Sequence, residues 1–193
     1  VIRAAFTDSA GISRSASYTI YVRIADGVYY IKNNFSGMYL YAASGKMLNY
    51  TNVSQNVLDL TMPRVLCQQW KIKYLDDGYY SIRPMHKLDM GLDVTKSNAD
   101  IYYISTNDSF AGVPSYARWT ISNDLGVYYL KNNDLALSLE TPSNNVVNVN
   151  VQTYSRALSQ TWILEPVTSI EPGVLLYNSS TGYCLSVHQT KWI

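Results

Sequence analysis

Three segments of the chain repeat one pattern, and this repetition constrains the fold more than any other feature of the sequence. Each segment opens on a glycine followed by alternating apolar and polar residues, continues through a second short apolar stretch, and closes on a tryptophan. The openings span residues 27–34, 78–83 and 126–133; the tryptophans are Trp70, Trp119 and Trp162, 49 and 43 residues apart. The alternation has the period of a half-buried strand, so the pattern predicts three copies of one β-rich unit.

Composition favours the same fold class. The chain has 18 tyrosines against 3 phenylalanines, and only 15% of its 193 residues are charged. Tyrosine, valine, isoleucine and threonine suit pleated sheets, whereas helical proteins are richer in glutamate, lysine, alanine and leucine. We therefore expect an all-β protein whose surface carries hydroxyl and amide groups more often than charges.

The number of repeats selects the architecture. A unit of about four strands cannot bury its apolar face alone, so the units must pack together, as blades of a propeller or lobes of a trefoil do. Three units are too few for the usual propeller. The sequence predicts a β-trefoil of three repeats, with a β-hairpin before it and a partial repeat after it.

The residues around the tryptophans resemble a known family. Gln68-Gln69-Trp70 and Gln160-Thr161-Trp162 match the Q-x-W motif of ricin B-type lectin domains (R-type lectins), while Ala117-Arg118-Trp119 keeps only the tryptophan. The resemblance covers residues 25–167 and implies a carbohydrate-binding trefoil without catalytic residues or a cofactor. It also implies that the three tryptophans are buried core residues and do not touch ligand.

In this family a carboxylate near the end of the second strand accepts hydrogen bonds from sugar hydroxyls, an aromatic ring stacks on the sugar, and an amide before the Q-x-W completes the site. Carried onto the third lobe, the resemblance assigns Glu140 as the carboxylate, with Gln152 and Tyr154 beside it and Ser159 where asparagine is usual. This lobe is our preferred site. A shallow site of this kind implies millimolar affinity for a monosaccharide.

The other two lobes match the family pattern less well. The second keeps the carboxylate as Asp93 and offers Tyr102 or Tyr103 as a ring, with Tyr103 preferred. The first has Tyr41 and Cys67 in place of the carboxylate and amide. Each assignment has a plainer alternative. Asp93 could be a turn residue, Glu140 a solvated surface carboxylate, and Tyr103 and Tyr154 cross-strand packing partners.

The flanks follow different patterns. Residues 1–24 contain two alternating stretches around Asp8-Ser9-Ala10-Gly11, which predicts a hairpin and resembles the last strands of a bacterial immunoglobulin-like or fibronectin-like domain. Residues 168–193 predict a linker followed by the first strands of a further repeat. The absence of a leader at Val1 suggests a piece of a longer exported protein, secreted or displayed on the cell surface.

Several function classes find no support in the sequence. The formal net charge is +1, which argues against nucleic acid or a charged membrane surface as partner, and no apolar run reaches the length of a membrane span. The two histidines lie in separate segments, so no metal site or catalytic triad is predicted. Two hypotheses remain. One is a module that binds galactose-type or mucin-like glycans beside neighbouring domains of the same protein; the other is a structural or protein-interaction trefoil with decayed sugar sites.

Overall fold

A computed structural model describes residues 2–7, 9–18, 23–42, 49–94, 99–103, 108–140, 148–167, 176–177 and 184–185. These residues form sixteen β-strands and three short 3₁₀ turns. Twelve of the strands belong to one sheet, and each flank contributes a separate two-stranded sheet. The predicted all-β fold is confirmed.

The twelve-stranded sheet divides into three lobes of four strands. Lobe 1 consists of β3 (Gly27–Asn33), β4 (Tyr39–Ala42), β5 (Thr51–Asn56) and β6 (Gln69–Asp76). Lobe 2 consists of β7 (Tyr79–Pro84), β8 (Met90–Asp93), β9 (Asp100–Tyr103) and β10 (Trp119–Asp124). Lobe 3 consists of β11 (Val127–Asn132), β12 (Leu135–Leu139), β13 (Val149–Thr153) and β14 (Trp162–Pro166).

The first and fourth strands of the lobes close into a six-stranded barrel. The pairing runs β3–β6–β7–β10–β11–β14, and β14 returns to pair with β3, so that Leu164 lies opposite Ile31. Alternate side chains of these strands fill the interior, which is why the sequence alternates along them. The fully buried barrel residues include Ile31, Ile72, Ile82 and Leu130.

The second and third strands of each lobe form hairpins that supply the remaining core residues. The hairpins are β4–β5, β8–β9 and β12–β13, all antiparallel. β5 also pairs with β9, and an isolated bridge joins Ser54 to Asn148, so the hairpins of different lobes meet. Three closed lobes around a shared barrel make a β-trefoil, as predicted.

The three tryptophans occupy equivalent buried positions. Each has an exposed fraction of 0%, and each indole Nε1 donates a hydrogen bond to a leucine carbonyl on the second strand of its own lobe. These bonds are Trp70 to Leu40 at 3.0 Å, Trp119 to Leu92 at 2.8 Å and Trp162 to Leu137 at 3.0 Å. The prediction that the tryptophans are core residues related by pseudo-threefold symmetry is confirmed.

A short 3₁₀ turn precedes each of these tryptophans, a feature that the strand pattern did not predict. The turns are Arg64–Cys67, Ser115–Ala117 and Leu158–Gln160. The asparagine that ends β3 anchors the turn of another lobe, since Asn33 Nδ2 donates to the Ser159 carbonyl at 3.1 Å. Asn132, at the end of β11, binds the Ser115 carbonyl at 2.8 Å in the same way. These asparagines join consecutive lobes around the ring.

Both flanks contain paired strands. β1 (Ile2–Thr7) and β2 (Ser13–Tyr18) form the predicted hairpin, and Gly11 in its turn has a φ of 77°, a conformation that glycine adopts without strain. β15 (Leu176–Tyr177) pairs with β16 (Cys184–Leu185), and Tyr177 lies opposite Cys184. The first two strands of lobe 1 pair with the same spacing, since Lys32 of β3 lies opposite Tyr39 of β4, seven residues later. The immunoglobulin-like origin of the first hairpin and the further repeat remain predictions.

Candidate functional site

The tryptophan hydrogen bonds set the register in which the lobes are compared. Because Leu40, Leu92 and Leu137 accept equivalent bonds, the residues that follow them are equivalent too. These residues are Tyr41, Asp93 and Ser138. The family resemblance placed the sugar-binding carboxylate at these same positions in lobes 1 and 2, but at Glu140 in lobe 3. The structure corrects that register, since Ser138 occupies the carboxylate position and Glu140 lies two residues further along.

Ser138 connects two of the predicted site residues. Its Oγ lies 3.2 Å from Gln152 Oε1 and 3.3 Å from Ser159 Oγ. Ser138 and Ser159 are buried, whereas Gln152 is half-buried and its Nε2 donates to the Glu140 carbonyl at 3.4 Å. The cluster of Ser138, Gln152 and Ser159, which we call the lobe 3 polar cluster, therefore brings together a hydroxyl, an amide and a second hydroxyl beside the surface.

The structure does not bring the Glu140 carboxylate to the Tyr154 ring. Glu140 follows β12, where its N–H donates to the Asn148 carbonyl at 3.0 Å, and Tyr154 follows β13, where its N–H donates to the Asp134 carbonyl at 2.8 Å. Antiparallel pairing places these positions at opposite ends of the β12–β13 hairpin, which spans four residue steps, or about 13 Å. The Glu140 side chain is exposed, which agrees with the solvated-carboxylate alternative.

Tyr154 is half-buried between an aromatic ring and two cations. Its ring meets the Tyr129 ring edge-on, with centroids 5.3 Å apart at an angle of 78°, so Tyr154 is also a packing partner. Lys131 Nζ lies 4.7 Å from the Tyr154 centroid. A hydrogen bond to Tyr154 raises the pKa of the Arg156 guanidinium, so this group stays fully charged beside the phenol. The ring therefore lies in a positive environment.

The carboxylate of lobe 2 is enclosed by protein. Asp93 is the last residue of β8, so it lies in a strand and not in the turn of the alternative interpretation, and its exposed fraction is 0%. The neighbouring Val94 N–H donates to the Tyr116 carbonyl at 3.2 Å, which fixes the 3₁₀ turn of this lobe beside the strand. The Tyr103 side chain lies outside the described residues; its backbone pairs with Met90. Asp93 and Ser138, the equivalent residues of lobes 2 and 3, are both fully buried, and of the lobe 3 polar cluster only Gln152 is partly exposed.

The Q-x-W glutamines have structural roles. Gln160 Nε2 donates to the Thr153 carbonyl at 2.9 Å, and its Oε1 accepts from the Ser155 N–H at 2.9 Å. Gln68 makes corresponding bonds in lobe 1, to the Val57 carbonyl and from the Asp59 N–H. Lobe 2 has Ala117 at this position, and Arg118 Nε instead donates to the Val113 carbonyl at 2.7 Å. The motif therefore ties the end of the third strand to the turn before the tryptophan.

An ionic cluster of Asp108, Arg83, Lys71 and Ser81, which the sequence did not predict, lies outside the barrel interior but is largely covered by other residues. Asp108 accepts from Arg83 at 2.7 Å, from Lys71 at 3.3 Å and from Ser81 at 3.2 Å. Burial alone would raise the pKa of Asp108, but the Arg83 and Lys71 charges outweigh it and lower that pKa. The cluster fixes the loop before β10. Because Asp108 lies in a loop without a motif, only the basic residues on β6 and β7 could have suggested it.

Within the described residues, no group of three or more histidine, cysteine or acidic side chains could hold a metal ion. No helix in that part of the chain is long and apolar enough to cross a membrane.

Comparison with known proteins agrees with this geometry. Residues 15–104 match the model of one protein family, which is described as 'Ricin-type beta-trefoil lectin domain-like'. Among solved structures, a designed threefold-symmetric protein, ThreeFoil, is similar with a TM-score of 0.61 and 26% identity over 74% of this chain and 100% of its own. Lobe 1 and the first three strands of lobe 2, which the family model covers, are therefore similar to the ricin-type lectin-like family. No curated protein matches the chain.

Two natural proteins have a similar fold. The earthworm R-type lectin C-half, solved in complex with GalNAc, has a TM-score of 0.54 and 14% identity over 72% of this chain and 98% of its own. A mosquitocidal holotoxin has a TM-score of 0.63 and 20% identity over 76% of this chain. The chain spans 18% of the holotoxin, so that protein contains much beyond the shared domain. The match to the family model begins at residue 15. It therefore overlaps residues 1–24, the segment that the sequence predicted to belong to a separate immunoglobulin-like domain.

Proposed function

We propose that the chain is a non-catalytic carbohydrate-binding module that attaches a larger exported bacterial protein to a glycan surface, with galactose-type sugars as ligands. The observation that supports the proposal is the lobe 3 polar cluster, where Ser138 joins Gln152 and Ser159 at the position that the resemblance assigns to sugar binding. Hydroxyl and amide groups offer both donors and acceptors, as sugar hydroxyls require. The N-acetylgalactosamine bound by the earthworm lectin supports the galactose class.

The site uses fewer charges than the family pattern. Ser138 supplies a neutral hydroxyl where a carboxylate would give charge-assisted hydrogen bonds, which are roughly twice as strong as neutral ones. We therefore infer weak binding, with a Kd on the order of 1 mM or above for a monosaccharide. Retention on a cell surface would then depend on several sites acting together.

The second candidate function, a structural or protein-interaction spacer, is favoured by the enclosure of Asp93 and by the tyrosine at position 41. Lobes 1 and 2 thereby lack an accessible carboxylate at the sugar-binding position. Under this alternative, the lobe 3 polar cluster is a buried network that only stabilises the hairpin.

NMR titration of the full chain with galactose, lactose and N-acetylgalactosamine separates the two. Sugar binding predicts amide shifts around Ser138, Gln152 and Tyr154, and Gln152→Ala removes them. The matched control is Asn56→Ala, which alters the corresponding residue of lobe 1, next to the Leu40–Gln55 pair. Shifts that survive Gln152→Ala, or no shifts at millimolar sugar, favour the spacer.

A further inference from the structure

Each lobe places one cation at the same point of its first strand. Lys32, Arg83 and Lys131 are the penultimate residues of β3, β7 and β11, and each directly follows a fully buried core residue of its strand, Ile31, Ile82 or Leu130. In lobes 1 and 2 a carboxylate neutralises the cation. Lys32 Nζ lies 3.7 Å from Glu165, and an Arg83 nitrogen lies 2.7 Å from Asp108.

Lobe 3 lacks this carboxylate. In the described part of the chain no acidic oxygen lies within the ion-pair distance of 4.0 Å from Lys131 Nζ, which instead lies over the Tyr154 ring. Arg156 is the second cation beside that ring. It forms a weak pair with Asp124, because both side chains are exposed and the nitrogen and oxygen are as much as 3.9 Å apart. Of three equivalent cations, only Lys131 is without an acidic partner among these residues.

Lys131 lies over one face of the Tyr154 ring. An ammonium 4.7 Å from the ring centroid attracts the electron-rich face, so a ligand that reaches this face meets a positive charge first. A neutral sugar would have to displace the ammonium without offering it a charged partner. A sugar with a negative substituent would pair with the ammonium while its ring lies beside the phenol.

We propose that lobe 3 selects galactose-type sugars bearing an anionic substituent, a carboxylate or a sulfate, and that Lys131 is the specificity-determining residue. The proposal rests on the proposed function, because it assigns the ligand class of the same site. The substituent takes the place that the Glu165 and Asp108 carboxylates occupy in the other lobes.

The test compares lactose, 3′-sialyllactose and 3′-sulfated lactose by NMR titration of the full chain at low salt and at about 0.15 M salt, where screening weakens exposed charge pairs. Inorganic sulfate alone is the fourth ligand. Comparison of 3′-sialyllactose with 3′-sulfated lactose shows whether the preferred substituent is a carboxylate or a sulfate. We expect at least one anionic sugar to bind about three- to tenfold more tightly than lactose, and Lys131→Gln to abolish this difference. Lys32→Gln, which alters the equivalent lysine already paired with Glu165, should leave the preference intact.

The outcomes separate this inference from the proposed function. If lactose shifts the lobe 3 polar cluster but anionic sugars bind no more tightly, the inference fails and the proposed function stands. A preference that persists in Lys131→Gln, or equal shifts with inorganic sulfate, also overturns the inference. If no sugar shifts the cluster, both fail.

Discussion

Asn33 and Ser159 are 126 residues apart in the chain, yet the Asn33 amide donates to the Ser159 carbonyl at 3.1 Å in the core. Asn33 Oδ1 also accepts the N–H groups of Phe35 and Ser36, so one side chain organises the β3–β4 turn and holds it against the 3₁₀ turn of lobe 3. This residue closes the ring of lobes where the first lobe meets the last.

Replacing Asn33 by Ala should therefore lower the free energy of unfolding by about 2–3 kcal/mol, because a buried carbonyl and two N–H groups lose their partner. Urea denaturation measures the change. Asn34→Ala, at the exposed neighbouring residue, should stay within about 0.5 kcal/mol of the wild type. Equal effects of the two substitutions would contradict the role assigned to Asn33.

Each core tryptophan should be individually essential for stability. Trp70→Ala, Trp119→Ala or Trp162→Ala leaves a cavity and an unpaired leucine carbonyl, and we expect a loss of about 3–5 kcal/mol in each case. Chemical denaturation of the three variants is the measurement. Because the environments are equivalent, the three losses should agree within about 1–2 kcal/mol. A variant that loses less than 1 kcal/mol would show that its ring is not part of the core.

Breaking the buried ionic cluster should cost more than breaking an exposed pair. Asp108→Asn removes the carboxylate that lies 2.7 Å from the Arg83 guanidinium, whose side chain has an exposed fraction of 2%. We expect a loss of about 3 kcal/mol. The control is Asp124→Asn, which removes the exposed pair with Arg156 and should cost at most about 1 kcal/mol. Thermal or urea unfolding of both variants compares the two costs.

The same carboxylate predicts a pH dependence. Although burial opposes it, the Arg83 and Lys71 charges hold the pKa of Asp108 below 3.8 in the folded state. A group with a lowered folded pKa contributes stability that is fully present above its unfolded pKa and is lost as the pH falls through the folded pKa. The stability difference between wild type and Asp108→Asn should therefore be constant from pH 7 to about pH 5 and shrink below pH 3.8. A constant difference down to pH 2 would exclude this origin.

Lobe 1 should not respond to sugar. Tyr41 stands in the carboxylate position, and the residue before its Q-x-W, Cys67, is buried and offers no amide side chain. In the lactose titration, the amide signals of Tyr41 and Cys67 should remain unshifted while those of the lobe 3 polar cluster move. Saturable shifts confined to lobe 1 would reverse the assignment of the lobes.

The barrel and its core could be predicted because their signals are periodic. Trp70, Trp119 and Trp162 follow equivalent strand patterns, so one apolar alternation repeated three times specifies both the strands and the residues that meet inside. The hairpin around Gly11 was predictable for a similar reason, since turn residues separate two alternating stretches.

The site was less predictable because its register depends on a hydrogen bond. The family resemblance assigned Glu140 to the carboxylate position of lobe 3, whereas the bond from Trp162 to Leu137 places Ser138 at that point. The Asp108 cluster could not be predicted from spacing, since a loop carboxylate meets Arg83 only after the chain folds back across 25 residues.

The last strand of the trefoil lies against the first, with the Val167 N–H bound to the Val28 carbonyl at 2.9 Å. The two ends of the lobed region are therefore adjacent in space. A short turn could join residue 167 to residue 25, and new termini could be opened in a loop between two lobes, without changing any strand's neighbours. Circular permutants made in this way would keep the same barrel, because the lobes form a ring in which any one of them can come first.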